Sequence, residues 1–117
     1  MKPVNVVLSF DAEEVYNYLN KEALHSKMER GLLMAVNKKV ELIKANPHYG
    51  NPISKKIIPE AYKVKYGISN LFRVELPSRW RMLYSLTDSE TKIEIVAFVL
   101  DIIGHPAYNK KFGYKKR

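Results

Sequence analysis

The sequence predicts an α+β domain in which two N-terminal helices pack on one face of an antiparallel sheet, in the order β-α-α-β-β-β. Three observations predict it. Apolar residues recur at three-to-four-residue spacing between Ala12 and Ile43. They alternate with polar ones from Leu71 to Tyr84. From Ile93 to Leu100 they run almost without interruption, at strand length. At 117 residues the chain is long enough to bury one core but not two, so residues 1–117 are read as a single domain.

Pro3 to Phe10 reads as the first strand, with Val4, Val6 and Leu8 on one face, placed at the sheet edge or beside the central strand. Asp11 followed by Glu14 has the form of a capping box, and Ala12, Val15, Leu19 and Ala23 continue a helix to about Leu24. Ser26 with Glu29 repeats that signal. Met28, Leu32, Val36, Val40 and Ile43 then form one stripe until Asn46-Pro47 ends the helix. Residues 46–70 contain Pro47, Gly50, Pro52, Pro59 and Gly67, which break any long period. They read mostly as loop, with room for a short strand at Tyr62 to Tyr66.

Phe72, Val74 and Leu76 alternate with Arg73 and Glu75. After a Pro77-Ser78 turn, Trp80, Met82 and Tyr84 alternate with Arg79, Arg81 and Leu83, making a hairpin. Thr87 to Thr91 is a polar turn. In the last strand, Ile93, Ile95, Ala97 and Val99 point one way and Val96, Phe98 and Leu100 the other, as in a central strand covered on both faces. From Gly104 to Arg117 the chain is aromatic and basic, without a repeat or low-complexity segment.

Net charge is +8, and thirteen of the twenty Lys and Arg lie in residues 51–117 against six Asp and Glu there. Residues 1–50 are nearly balanced at seven to six. A basic half concentrates polyanions, nucleic acid above all, although a basic surface also serves solubility alone. The absence of cysteine excludes a disulfide framework, a Cys-ligated metal and a thiol nucleophile, and fits a reducing cytosol. The start, MKPVNVVLSFDAEE, lacks the pattern of a signal peptide, and no apolar run approaches the roughly 20 residues of a membrane span. Neither a phosphate-cradling glycine loop, a HExxH-type metal pattern nor a nucleophile elbow occurs, so no cofactor or metal is expected.

The candidate chemistry lies in the second half. By strand parity Arg73, Arg79 and Arg81 project from the sheet face away from the helices. Crowded guanidiniums there either form a solvated face, with Glu75 satisfying one of them, or await a phosphate. His105 and Tyr108 follow the last strand: an imidazole moves protons near neutral pH, and a phenol donates a hydrogen bond or stacks on a base. Equally, a histidine beside a proline can be a plain turn residue. His25 and His48 read as structural or solvated. Tyr108, Phe112 and Tyr114, interleaved with Lys110, Lys111, Lys115, Lys116 and Arg117, have the alternation that stacks bases and neutralises phosphates.

The segment LFRVELPSRWRMLYSL, followed after a turn by KIEIVAFVLDIIGHPAYNK, resembles the C-terminal half of the RelE/ParE toxin superfamily. In that family an Arg-bearing strand leads to a strand of the form Arg, two apolar residues, Tyr, and a last strand ends in His or Arg before an aromatic. Here Arg73, Arg81-Met82-Leu83-Tyr84, and His105 with Tyr108 match. The resemblance covers about half the chain closely and the helical half by element order. It departs in having Pro77-Ser78 where a turn glycine is usual and Arg79 where an acidic or small residue is common.

The resemblance implies a small RelE-like fold and a cytoplasmic toxin of a toxin–antitoxin pair. Such a toxin cuts messenger RNA in the ribosomal A site by metal-independent attack of the RNA's own 2′-OH, and a small acidic antitoxin neutralises it. Arg73 and Arg81 would then hold the phosphate, His105 would be general base or acid, and Tyr108 would orient or stack. Lys63, Lys65, Arg79, Lys110 and Lys111 would contact RNA. Its ParE branch, which inhibits gyrase and generally lacks the catalytic set, is the alternative, as is a protein that only binds nucleic acid or a partner. The geometric expectation is that Arg73, Arg81 and His105 converge in one open electropositive hollow.

Overall fold

A computed structural model describes residues 2–113. Strand β1 (Val4–Leu8), helices α1 (Phe10–Glu22) and α2 (Lys27–Ala45) and the two-residue strand β2 (Asn51–Pro52) form the first half. Helix α3 (Glu60–Tyr66), strands β3 (Phe72–Glu75), β4 (Arg81–Asp88) and β5 (Ile95–Ile103), and helix α4 (His105–Lys111) complete it. The five strands lie in the order β1-β5-β4-β3-β2. All neighbours are antiparallel except β1 and β5, which are parallel, so the sheet is mixed rather than wholly antiparallel. Among the described residues no helix is long and apolar enough to cross a membrane.

Helix α1 is capped by Ser9, not by Asp11. Its Oγ accepts from Ala12 N at 3.0 Å and donates to Leu100 O at 2.6 Å, which ties the helix start to β5. Asp11 instead lies inside the first turn and pairs with Lys65 of α3 at 2.9 Å. The expected cap of α2 is present: Ser26 accepts from Glu29 N and donates to the Glu29 carboxylate. The stripe on α2 buries Leu32, Val36 and Ile43, but Met28 in its first turn is half exposed.

Helices α1 and α2 cover one face of the sheet, where Leu19, Val36, Phe72, Val74, Met82, Tyr84, Val99 and Ile102 close a core. The opposite face is covered in part by α3 and α4, whose Tyr62 and Tyr108 pack with Leu83, Leu100 and Ile58. Neither small helix follows from the sequence reading. Where a strand was expected at Tyr62 to Tyr66 there is α3, ended by Gly67 in the left-handed region (φ 63°). Its single buried face needs only Tyr62, Tyr66 being half-buried, too few residues to show a period. The region past Gly104 is helical to Lys111; Tyr114, Lys115, Lys116 and Arg117 lie outside the described residues.

Strand β5 has neighbours on both edges and buries side chains on both faces, though β4 is the middle strand. It starts at Ile95, leaving Ile93 exposed in the turn. Opposite Leu83 and Tyr84 its register slips, with Leu83 facing Asp101 and Tyr84 facing Val99, so Leu100 is an extra residue. This bulge turns both Leu100 and Asp101 toward α3 and α4, whereas strict alternation would aim Asp101 into the α1/α2 core.

Candidate active site

Arg73 of β3 and Arg81 of β4 stand on the face away from α1 and α2, because their neighbours Phe72, Val74 and Met82 fill the opposite core. Glu75, paired across the ladder with Arg81, reaches both: its carboxylate is 3.1 Å from Arg73 Nε and 3.6 Å from Arg81 Nε. Arg81 Nη1 approaches His105 Nδ1 at 3.2 Å and donates to Arg79 O at the same distance. Arg73 Nη1 donates to the Tyr108 hydroxyl at 3.1 Å. The Arg81 guanidinium lies over the Tyr108 ring at 4.5 Å.

Helix α4 brings His105 and Tyr108 here. It follows the extended residue Gly104, has Pro106 in its first turn, and presents residues three and four apart on one side. Tyr108 is only 2% exposed, its ring stacked on Phe112 at 4.4 Å and overlain by Arg81. It is a floor beneath the guanidiniums rather than an open platform.

Arg79 does not join Arg73 and Arg81. The turn takes Ser78 and Arg79 into the left-handed region (φ 59° and 62°), so strand parity stops there, and the Arg79 side chain is exposed at the hairpin tip. Lys63 and Lys65 are exposed on α3. Lys65 is occupied by Asp11, whose hydrogen bond raises its pKa. Lys110 is exposed, whereas Lys111 turns to Asp101 at 3.3 Å and lies over the Tyr62 ring.

Three residues enter the picture that sequence reasoning did not assign to the site. Asn109, one turn after His105, has its amide 3.1 Å from His105 Nε2; the i, i+4 spacing was a signal available beforehand. Asp101 and Tyr62 share a 2.5 Å hydrogen bond beneath α4. Burial, and next the bond to Asp101, push the Tyr62 hydroxyl far above the ordinary tyrosine pKa. Next to the cluster, Arg73 and Glu75 also line a hollow of about 230 Å³ at the sheet edge with Lys39 and Tyr49. A larger hollow of about 300 Å³, among Tyr66, Ser69, Ser85 and Phe98, contains none of the cluster residues.

The cluster thus combines two guanidiniums, one imidazole and one carboxylate on a half-buried surface, with 32% of the Arg73 and 16% of the Arg81 side chain exposed. Two forked donors side by side suit a tetrahedral or trigonal-bipyramidal phosphorus better than a metal ion, which they would repel.

No protein-family model matches the chain, and no curated protein matches it. Among solved structures it is similar to a YoeB/ParE toxin from Agrobacterium tumefaciens, with a TM-score of 0.55 and 16% identity over 90% of this chain and 99% of the other. The chain therefore shares the fold of that toxin.

Proposed function

We propose that the protein is the toxin of a toxin–antitoxin pair and an endoribonuclease that cuts messenger RNA in the ribosomal A site without a metal ion. The observation that carries this reading is the 3.2 Å contact between Arg81 and His105 beside Arg73, a proton-transferring group held against two phosphate-binding ones. The 2′-oxygen attacks the adjacent phosphorus while His105 takes its proton. Arg73 and Arg81 stabilise the extra charge on the equatorial oxygens. As the P–O5′ bond breaks, His105 returns the proton to the 5′-oxygen. The products are a 2′,3′-cyclic phosphate and a free 5′-hydroxyl, so atoms and charge balance. Glu75 holds the two guanidiniums apart until the phosphate takes its place between them, and Tyr108 supports them from below. The ribosome and a small acidic antitoxin as partners, a cytoplasmic setting, and RNA contacts from Lys63, Lys65, Arg79, Lys110 and Lys111 follow from the family resemblance and the basic second half.

Expression of the parent chain should arrest growth and leave messenger RNA cut at discrete sites by primer extension. His105→Ala and Arg81→Ala should each relieve arrest while the purified proteins keep parental circular dichroism. Arrest with intact messenger RNA would point instead to the gyrase-inhibiting branch. Undiminished toxicity of both variants would rule out this mechanism.

A further inference from the structure

The hydrogen bonds around His105 impose a constraint that its position alone does not. A guanidinium only donates, so Arg81 Nη1 at 3.2 Å requires a lone pair on His105 Nδ1. The neutral ring then carries its proton on Nε2. That nitrogen faces the amide of Asn109 at 3.1 Å, and an N–H cannot accept from an amide NH2. The Asn109 amide must therefore present its oxygen to Nε2, by a half-turn about χ2 that interchanges Oδ1 and Nδ2. The result is a directed chain: Arg81 donates to Nδ1, and Nε2–H donates to Asn109 Oδ1.

We propose that Asn109 is a positioning residue that anchors Nε2–H of His105, so that Nδ1 is the nitrogen exchanging a proton with RNA. The proposal rests on the nuclease reading above. In the resting protein Arg81 covers the Nδ1 lone pair. When a phosphate draws the guanidinium away, that lone pair faces the same space, while Asn109 keeps the ring from turning and the proton from moving to the wrong nitrogen. The 2′-OH proton passes to Nδ1 and leaves from Nδ1 to the 5′-oxygen, and Nε2–H never breaks. Histidines oriented through their second nitrogen are a general device, and Asn109 lies one helical turn away on the same short helix, where i, i+4 side chains meet.

The test compares Asn109→Asp, which can only accept, with Asn109→Leu, which has similar size and no polar atom. Nitrogen-15 spectra of histidine-labelled protein should show the neutral ring of His105 as the Nε2–H tautomer. Its N–H proton should be observable in the parent and in Asn109→Asp, and lost to solvent exchange in Asn109→Leu. On ribosomes loaded with messenger RNA, Asn109→Leu should lose roughly tenfold to a hundredfold in kcat with little change in KM, the usual size for removing an orienting partner. Asn109→Asp should recover most of that loss. An Nδ1–H tautomer in the parent, equal N–H exchange in the two variants, or a parental kcat in Asn109→Leu would each overturn the proposal. A parent that cleaves no RNA would instead defeat the nuclease reading, and the ring spectra would still decide whether Asn109 holds His105.

Discussion

Replacing Asp101 with Ala tests what docks α4, and with it His105, on the sheet. Asp101 is 7% exposed and accepts from the Tyr62 hydroxyl at 2.5 Å and from Lys111 at 3.3 Å. Without the carboxylate, the Tyr62 hydroxyl is left buried in an apolar surround with no acceptor, at a cost of about 1–3 kcal/mol. The partly exposed lysine adds under about 1 kcal/mol. The sum, roughly 1–4 kcal/mol, corresponds to a fall in Tm on the order of 4–16 °C for a domain of this size. Urea unfolding followed by circular dichroism would measure it at neutral pH, with Tyr62→Phe and the double variant completing a cycle. Because Tyr62→Phe removes the orphaned hydroxyl, the double variant should be less destabilised than the two single losses added together, by about 1–2 kcal/mol. Asp101→Asn, which keeps an acceptor, should cost less than Asp101→Ala. An Ala variant within about 0.5 kcal/mol of the parent, or strict additivity in the cycle, would refute the reasoning.

Gly50 and Gly31 make opposite predictions from the same substitution. A Cβ at Gly50 would lie 2.9 Å from Tyr84 Cε1 and 3.1 Å from both Arg73 O and Phe72 Cβ, so Gly50→Ala should destabilise by about 1–3 kcal/mol. Gly31, inside α2 with nothing within 4 Å of its Cβ position, should gain about 0.5–1 kcal/mol as Ala; equal effects in thermal melts would contradict the packing described. Tyr62 and Tyr84 keep their protons in the folded chain above the ordinary value of 10.0, for both chiefly because they are buried, whereas the unfolded chain releases them there. Folded protein therefore binds more protons above pH 10, and stability should fall as pH rises from that point, by up to about 1.4 kcal/mol per pH unit for each tyrosine. Unfolding curves at rising alkaline pH should show a smaller slope for Tyr62→Phe than for the parent, and an equal slope would show that Tyr62 ionises as freely folded as unfolded.

Much of the scaffold was legible residue by residue. The Ser26 cap and the stop at Asn46-Pro47 bound α2 as read, because both act within a few residues of backbone. Alternation in the hairpin put Arg73 and Arg81 on the face away from α1 and α2, since side-chain direction in a strand is a matter of odd and even positions. The same rule failed at Arg79, where two left-handed residues interrupt the strand, and it does not extend past Leu100 to Asp101, where the bulge adds a residue. Helix α3 was missed because seven residues carry too little periodicity to tell a turn of helix from a strand.

By itself the sequence determined the α+β class, the two packed helices, the charged hairpin face and the candidates Arg73, Arg81, His105 and Tyr108. Each of these follows from local spacing and from the chemistry of single side chains. Only the tertiary structure decided that Tyr108 lies buried under Arg81, that Arg79 and the α3 lysines stand apart, and that Asn109 meets His105 while Arg81 meets it from a strand 24 residues away. Those contacts depend on the register of β4 against β5 and on how α4 leaves the sheet, and cooperative packing over the whole domain sets both.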